Sequence, residues 1–280
     1  MLKVGIESSA YFQLEDYENG FAKIRQHGYN CVDLNIASPS LALYSLSERE
    51  YESYLTKIAK SAKLNDMEIF QAHGLWGGDM VVDTAEKRLR QIAFYKKQLR
   101  GLAFLNCKYL VIHPCMPFGW WGEAKDHDEI LHIQMDELLA ILPTAEEYGV
   151  TVCLENMPLG ISSSMFIKEL VQTANHKLVK ACFDTGHAHV HKENIRESVL
   201  LLGEDLRVLH VHDNNGRDDA HILPFQGSLD WDGFLNALRE IGYDGCMSLE
   251  TKIGDKTPEP MKENMQLSLA GIGRYLATKL

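Results

Sequence analysis

The sequence predicts an α/β protein, a single (β/α)8 barrel with residues 1–280 as one domain. Three observations point there. Short, β-branched apolar runs alternate with longer amphipathic ones, and the alternation repeats eight times. The length of 280 residues is close to the about 250 that such a barrel uses. Residues capable of chemistry recur at the C-terminal ends of the short runs, where barrels of this kind carry their sites.

The expected strands are 2–8 (LKVGIES), 30–37 (NCVDLNIA), 68–74 (EIFQAHG), 108–114 (KYLVIHP), 150–156 (VTVCLEN), 179–187 (VKACFDTGH), 206–214 (LRVLHVHDN) and 246–251 (CMSLET). Between them lie helical patterns such as SEREYESYLTKIAKSAKLND and TAEKRLRQIAFYKKQLRGLAFLN, and PEPMKENMQLSLAGIGRYLATKL closes the chain. Glycine precedes several strands (QHGYN, EYGVT, EIGYDG), where helix C-caps belong. The rival architecture, an open doubly wound sheet, lacks the GxGxxG turn after the first strand. No linker or low-complexity stretch divides the chain.

Composition narrows the class. An apolar content of 45% supports a large core. No uninterrupted apolar stretch of about 20 residues exists, so no membrane span is expected. The opening MLKVGIESSA lacks the basic and then apolar pattern of a secretory signal. The six cysteines are scattered with no CxxC pair, which reads as reduced thiols in a cytoplasmic protein. A net charge of −11 opposes attraction to phosphate backbones and argues against a nucleic-acid partner.

The strand ends carry the chemistry. The first ends in Glu7, the third in His73, the fourth in His113 and the fifth in Glu155 and Asn156. The sixth ends in Asp184 with His187 three residues on, the seventh offers His210 and His212, and the eighth ends in Glu250. Seven of eight strands thus converge on one mouth. Side chains alternate along a strand, so Cys153 shares a face with Glu155, Cys182 with Asp184, and Cys246 and Ser248 with Glu250. These small residues are expected to fill the barrel interior beneath the polar mouth. Carboxylates gathered this closely repel one another and are costly to desolvate, a conflict that a divalent cation resolves. One nitrogen and three carboxylates suit Mn2+, Mg2+ or Co2+, and Zn2+ if more histidines join.

These residues resemble the xylose-isomerase-like TIM-barrel superfamily, which includes sugar isomerases and epimerases and also endonuclease IV. The matching pieces are LEN at Glu155, FDTGH from Phe183 to His187, HVHDNNG from His210 to Gly216, and LET around Glu250. The likeness covers nearly the whole chain. It implies one divalent ion, foremost Mn2+, held by Glu155, Asp184, His210 and Glu250, with His212 as the rival ligand on the seventh strand. It further implies that His187 contacts substrate and that Arg217 grips a hydroxyl or a phosphate. His73, His113 and Trp121 complete the expected substrate contacts, and Trp76, Trp120, Phe118, Tyr11 and Phe12 offer apolar faces for a sugar ring.

The implied function is a sugar isomerase or ketose epimerase acting on a sugar or sugar phosphate. Glu155 and Glu250 would move a carbon-bound proton through an enediolate, with the metal as Lewis acid. Homodimers and homotetramers are common in the family. Two rival activities share the ligands. The first is a zinc phosphodiesterase acting on abasic DNA, as in endonuclease IV. It would use His73, His113 and a further metal at Asp219 and His221, but the loops GLWGGDMVVD and CMPFGWWGEAKDHDE are aromatic or acidic rather than basic. The second is a polyol or keto-acid dehydratase. A barrel that binds sugar without turnover is the non-enzymatic alternative.

Overall fold

A computed structural model describes residues 2–76, 81–114, 127–158, 162–254 and 256–280. All eight expected strands are present: β1 (Lys3–Glu7), β2 (Cys31–Asn35), β3 (Glu68–His73), β4 (Tyr109–Ile112), β5 (Thr151–Glu155), β6 (Val179–Asp184), β7 (Leu206–His210) and β8 (Cys246–Leu249). They run parallel in the order β7-β6-β5-β4-β3-β2-β1-β8. Closure comes one residue past β7. Val211 bridges Leu249 in parallel, its N–H donating to Ser248 O at 2.9 Å and its carbonyl accepting from Glu250 N at 3.0 Å.

Helices α1 (Tyr17–Gln26), α2 (Glu48–Leu64), α3 (Ala85–Leu105), α4 (His127–Tyr148), α5 (Ser164–Ala174), α6 (Thr185–Val190), α7 (Ile195–Leu202), α8 (Trp231–Glu240) and α9 (Glu259–Ala277) surround the strands. Their starts follow local chemistry. Ser47 and Glu50 form a capping box on α2. Thr84, Ser163, Asn194 and Asp230 accept from backbone N–H groups at the first turns of α3, α5, α7 and α8. Gly149 and Gly242 follow α4 and α8 at φ 66° and 65°, a left-handed conformation that glycine adopts without steric cost. Closing helix α9 packs on β1 and β8. No helix among the described residues is long and apolar enough to cross a membrane.

The apolar core has two parts. The larger lies between the strands and the helices. The smaller fills the barrel interior and comprises Cys31, Phe70, Val111, Cys153, Cys182, Val208 and Cys246, with Tyr109 packed against it. Cys153, Cys182 and Cys246 are therefore packing residues beneath the mouth, as strand parity predicts. The interior is tightly filled beside β1, where a Cβ on Gly5 would sit 2.8 Å from the Cys246 sulfur and 3.1 Å from that of Cys31.

Two irregularities set the phase of the strand ends. Val32 pairs with Ile69 but Asp33 pairs with Gln71, leaving Phe70 as an extra residue in β3. Ala181 pairs with Leu206 but Cys182 with Val208, leaving Arg207 extra in β7. Bulges of this type shift side chains between faces. Beyond them Asn35 pairs with His73, and Asp184 with His210, at the mouth.

Candidate metal centre and active site

The C-terminal ends of the strands enclose a cavity of ≈ 470 Å3. Its lining includes Glu7, His73, His113, Glu155, His187, Asp219, His221 and Glu250, with Ser9, Asn35, Thr251 and Lys252 among the other polar residues. Trp76, 55% exposed, contributes an aromatic face to the same cavity.

Glu155 is the hub. Its Oε1 lies 2.9 Å from His210 Nδ1 and 3.4 Å from His187 Nδ1. Its Oε2 is approached by His113 Nε2 at 3.1 Å and His73 Nε2 at 3.8 Å. Glu155, Asp184, His210 and Glu250 each offer a ligand atom, and all four atoms lie within 4.8 Å of one another. His73, His113 and Glu155 form an adjoining group under the same distance limit.

Burial by itself would raise the Glu155 carboxyl, but the charges of His210 and His113 outweigh it and hold it well below the usual carboxylate range. His210 is the counterpart. Burial disfavours its cation, yet the acidic groups around it, Glu155 and Glu250 among them, raise it well above the ordinary imidazole value. Burial pushes Glu250 up to about 8, reinforced by the neighbouring Glu155 and Asp184 carboxylates. Burial, with His113 alongside, drops His73 to about 4, so that it stands as a neutral imidazole.

A cation fits this donor set. Glu155 Oε2 and Glu250 Oε2 are buried and accept no hydrogen bond, and His113 has neither ring nitrogen satisfied. Buried lone pairs left open carry a large desolvation cost that a metal ion would offset.

A second group stands beside the first. His187, His212, Asp219 and His221 also bring ligand atoms within 4.8 Å of one another. Asp219 Oδ2 is 2.8 Å from His221 Nε2 and 3.5 Å from His187 Nε2, and His212 Nε2 is 3.1 Å from Asp184 Oδ1 and 3.6 Å from Asp219 Oδ1. The rings of His212 and His221 stack at 3.8 Å. Burial would raise the Asp219 carboxyl, but hydrogen bonds from His187 and His221 hold it far below its ordinary value.

The loop that delivers Asp219 and His221 is braced by Asp213. That buried carboxylate accepts from the backbone of Asn214 (2.8 Å), Gly227 (3.0 Å) and Leu229 (3.2 Å) and from Trp231 Nε1 (3.0 Å). Asp213 and Ile222 bridge antiparallel and close the loop. Gly186 in the DTGH run has a steric role, since a Cβ there would fall 1.9 Å from His212 Cε1.

The strand-end residues named from sequence thus come together: Glu155, Asp184, His187, His210, His212 and Glu250, with His73, His113, Asp219 and His221. The two seventh-strand histidines separate. His210 ends β7 and joins Glu155 and Glu250, whereas His212 lies past the strand and joins Asp184 and Asp219. Arg217 is exposed and does not line the cavity. Tyr11 and Phe12 do not line it either. The Tyr11 hydroxyl lies 2.8 Å from His27 Nδ1, and Phe12 packs edge-on against Phe21. Trp121, Trp120 and Phe118 lie outside the described residues.

Among the polar residues that the sequence did not single out are Ser9, Asn35, Thr251 and Lys252 in the cavity lining and two buried beneath it. Asp33 on β2 and Gln71 on β3 lie in the barrel interior beside His210, so β2 contributes as well and all eight strands carry polar groups to the site. Asp33 has the same parity as Cys31, a signal that was legible.

Comparison with known proteins agrees with this architecture. Residues 21–270 match the family described as xylose isomerase-like TIM barrel. An uncharacterised protein of Methanocaldococcus jannaschii is 28% identical, over 95% of this chain and 90% of its own length. The inosose isomerase of Bacillus velezensis is 25% identical, over 80% of this chain and 79% of its own. Among solved structures, D-psicose 3-epimerase from Clostridium cellulolyticum, determined with D-tagatose, superposes with a TM-score of 0.80 at 20% identity, over 98% of this chain and 99% of that one. A D-tagatose 3-epimerase-like protein gives 0.78 at 24%, over 99% of both. The fold and the mouth define a barrel with a candidate metal centre at its C-terminal face. The chain belongs to the xylose isomerase-like TIM-barrel family.

Two outcomes follow from the site. A divalent ion held by His210 and Glu250 would displace their protons, whose affinities the surroundings raise, so ion affinity should climb as pH rises through about 8. Calorimetry in two buffers of different ionisation enthalpy should register the released protons, and a flat profile without release would exclude these two as ligands. Gly186→Ala should drive the His212 ring from its place at a cost of about 1–3 kcal/mol, read as a lowered Tm. An unchanged Tm would show that the ring has room to move.

Proposed function

We propose that the protein is a divalent-metal-dependent sugar isomerase or ketose epimerase with Mn2+ as the working ion. The observation that carries this reading is the group Glu155, Asp184, His210 and Glu250, gathered within 4.8 Å at a cavity of a size suited to a small polyhydroxy carbonyl compound. The epimerase and isomerase names of the relatives support it. When bound, the metal would polarise a substrate carbonyl and make the neighbouring C–H more acidic.

The chain's own residues supply the rest. Glu155 and Glu250 reach the centre from β5 and from the residue after β8, which suits removal of a proton from carbon by one and its return by the other. Return to the opposite face of the same carbon epimerises the substrate, and return to the adjacent carbon isomerises it; both pass through an enediolate. His187, which lines the cavity beside Glu155, is the residue we assign to contact with a substrate oxygen. Ser9, Asn35, Thr251 and Lys252 offer partners to further hydroxyls, and Trp76 presents an apolar face that excludes water. Glu155→Gln and Glu250→Gln should each slow exchange of the substrate's carbon-bound hydrogen with deuterated solvent by about 100-fold or more. Undiminished exchange in both variants would rule out this mechanism.

A second reading is favoured by one observation, that further ligand groups adjoin the first, His73–His113–Glu155 and His187–His212–Asp219–His221 among them. Three adjoining groups suit a zinc phosphodiesterase that clamps a phosphate between ions. The net charge of −11 weighs against a nucleic-acid substrate. Metal analysis of the purified protein separates the two. One tightly held ion supports the epimerase reading. Two or three zinc ions, with incision of an abasic duplex that His73→Ala abolishes, would replace it.

A further inference from the structure

The cavity at the mouth is rich in acids and imidazoles and short of permanent cations. Arg217, the cation expected to grip substrate, is exposed and lies outside it. Lys252 is the single Lys or Arg among the described residues that line the cavity. It lies two residues past Glu250, on the segment that leaves β8.

That segment is held by its neighbours. The backbone N–H of Lys252 donates to His221 O at 2.9 Å, and His221 Nδ1 lies 2.8 Å from Glu250 O. Glu250 N in turn donates to Val211 O at 3.0 Å. The backbone on either side of Thr251 is therefore fixed, and the Lys252 stem starts from a set point at the rim. Two residues of chain span at most about 7 Å, so a group lying just outward of Glu250 falls within its reach. The Lys252 ammonium enters no ion pair or side-chain hydrogen bond with any described residue. On the adjacent strand β1 the Glu7 carboxylate is already engaged, Oε1 accepting from Ser9 N at 3.0 Å and Oε2 from the Ser9 hydroxyl.

Thr251 is a second, independent opening. Its side chain is 3% exposed and lines the cavity, and its Oγ1 is buried with no hydrogen-bond partner. A buried hydroxyl left open is costly, and a ligand atom in the cavity would complete the bond. A neutral donor and an uncommitted cation thus stand side by side at one wall. An ammonium gains most from an anion, through a charge-assisted bond about twice as strong as a neutral one.

We propose that Lys252, with the Thr251 hydroxyl, determines specificity by binding an anionic group at the end of the substrate remote from the reacting carbons. The substrate is then an acidic sugar, carrying a phosphate monoester or a carboxylate. The inference rests on the proposed function for the place of the reacting carbons at Glu155 and Glu250, and it names the substrate class of that same site. With Glu7, Glu155, Asp219 and Glu250 around the cavity, a cation at the rim is what admits a ligand of their own sign.

The test compares D-fructose, D-psicose, D-tagatose and D-sorbose, each as the neutral sugar, the 6-phosphate and the 6-carboxylate. Binding to the full-length, Mn2+-loaded protein is measured by calorimetry, and exchange of carbon-bound hydrogen by NMR in deuterated solvent. The tightest ligand should be acidic and bind about 10–100-fold more tightly than the neutral sugar of the same skeleton. Which acid it is distinguishes phosphate from carboxylate. Lys252→Met should cut that ratio to about threefold or less, and Lys252→Arg should keep most of it. Thr251→Val, which keeps the shape and removes the hydroxyl, should lower it by a smaller factor. In turnover the Lys252→Met loss for the acidic sugar should fall on KM far more than on kcat, as for a contact made equally in ground and transition states.

A neutral sugar that binds as tightly as its acidic counterparts overturns the proposal. So does a Lys252→Met variant that loses neutral and acidic sugars equally, which marks a structural role, and so does a failure of every acidic member to bind. Acidic sugars that bind through Lys252 with no exchange of carbon-bound hydrogen would sink the isomerase reading and leave the anion site in place.

Discussion

The constraint on which this structure turns is the burial of acids and imidazoles at one end of a barrel. Glu155, Asp184, His210 and His212 are completely shielded from solvent. In so low a dielectric an unpaired carboxylate is costly, and like charges in contact are costlier. The arrangement answers with alternation. Glu155 lies between His210 and His113, Asp184 beside His212, and Asp219 between His187 and His221. Each carboxylate has an imidazole within reach, and several oxygens are still left without a donor. That surplus of lone pairs is what a bound cation would satisfy.

The rest of the fold serves this arrangement. The interior layer of Cys31, Cys153, Cys182 and Cys246 with Phe70, Val111 and Val208 closes the barrel floor against water. The extra residues in β3 and β7 bring His73 and His210 to the same level as Asn35 and Asp184. Asp213 uses its two oxygens to gather three backbone N–H groups and an indole N–H, and so fixes the loop that carries Asp219 and His221. Glycine at 186 leaves space for the His212 ring. Ligand geometry here is set by packing and by hydrogen bonds one layer removed from the cavity, the usual requirement for a site held within fractions of an ångström.

Much of this was legible in the sequence. Strand parity put Glu155 on a face with Cys153, Asp184 with Cys182 and Glu250 with Cys246, because the two-residue period of a strand is strict. The same argument applied to Cys31 leads to Asp33, and applied to His73 it leads to Gln71, since the extra residue Phe70 lies before both. Arg217 illustrates a limit. Its position in the loop after the seventh strand suggested a substrate clamp. The loop instead turns at Gly216, with the Arg217 N–H donating to Asn215, and brings Asp219 and His221 inward while Arg217 faces solvent. Tyr11 and Phe12 likewise turn from the mouth, Tyr11 to His27 and Phe12 to Phe21 on α1.

The sequence by itself determined the eight strands, the barrel and the end at which the polar residues gather. Those features follow from local periodicity, caps and turn residues, which act between neighbours along the chain. Only the tertiary structure decided how the two close histidines divide, with His210 beside Glu155 and Asp33 and His212 beside Asp184 and Asp219. It also decided that Asp33, from a strand with no ligand at its end, lies under His210. Both outcomes depend on register shifts and on contacts between residues far apart in sequence. The balance of buried charge in the assembled barrel selects them, and no local pattern encodes that balance.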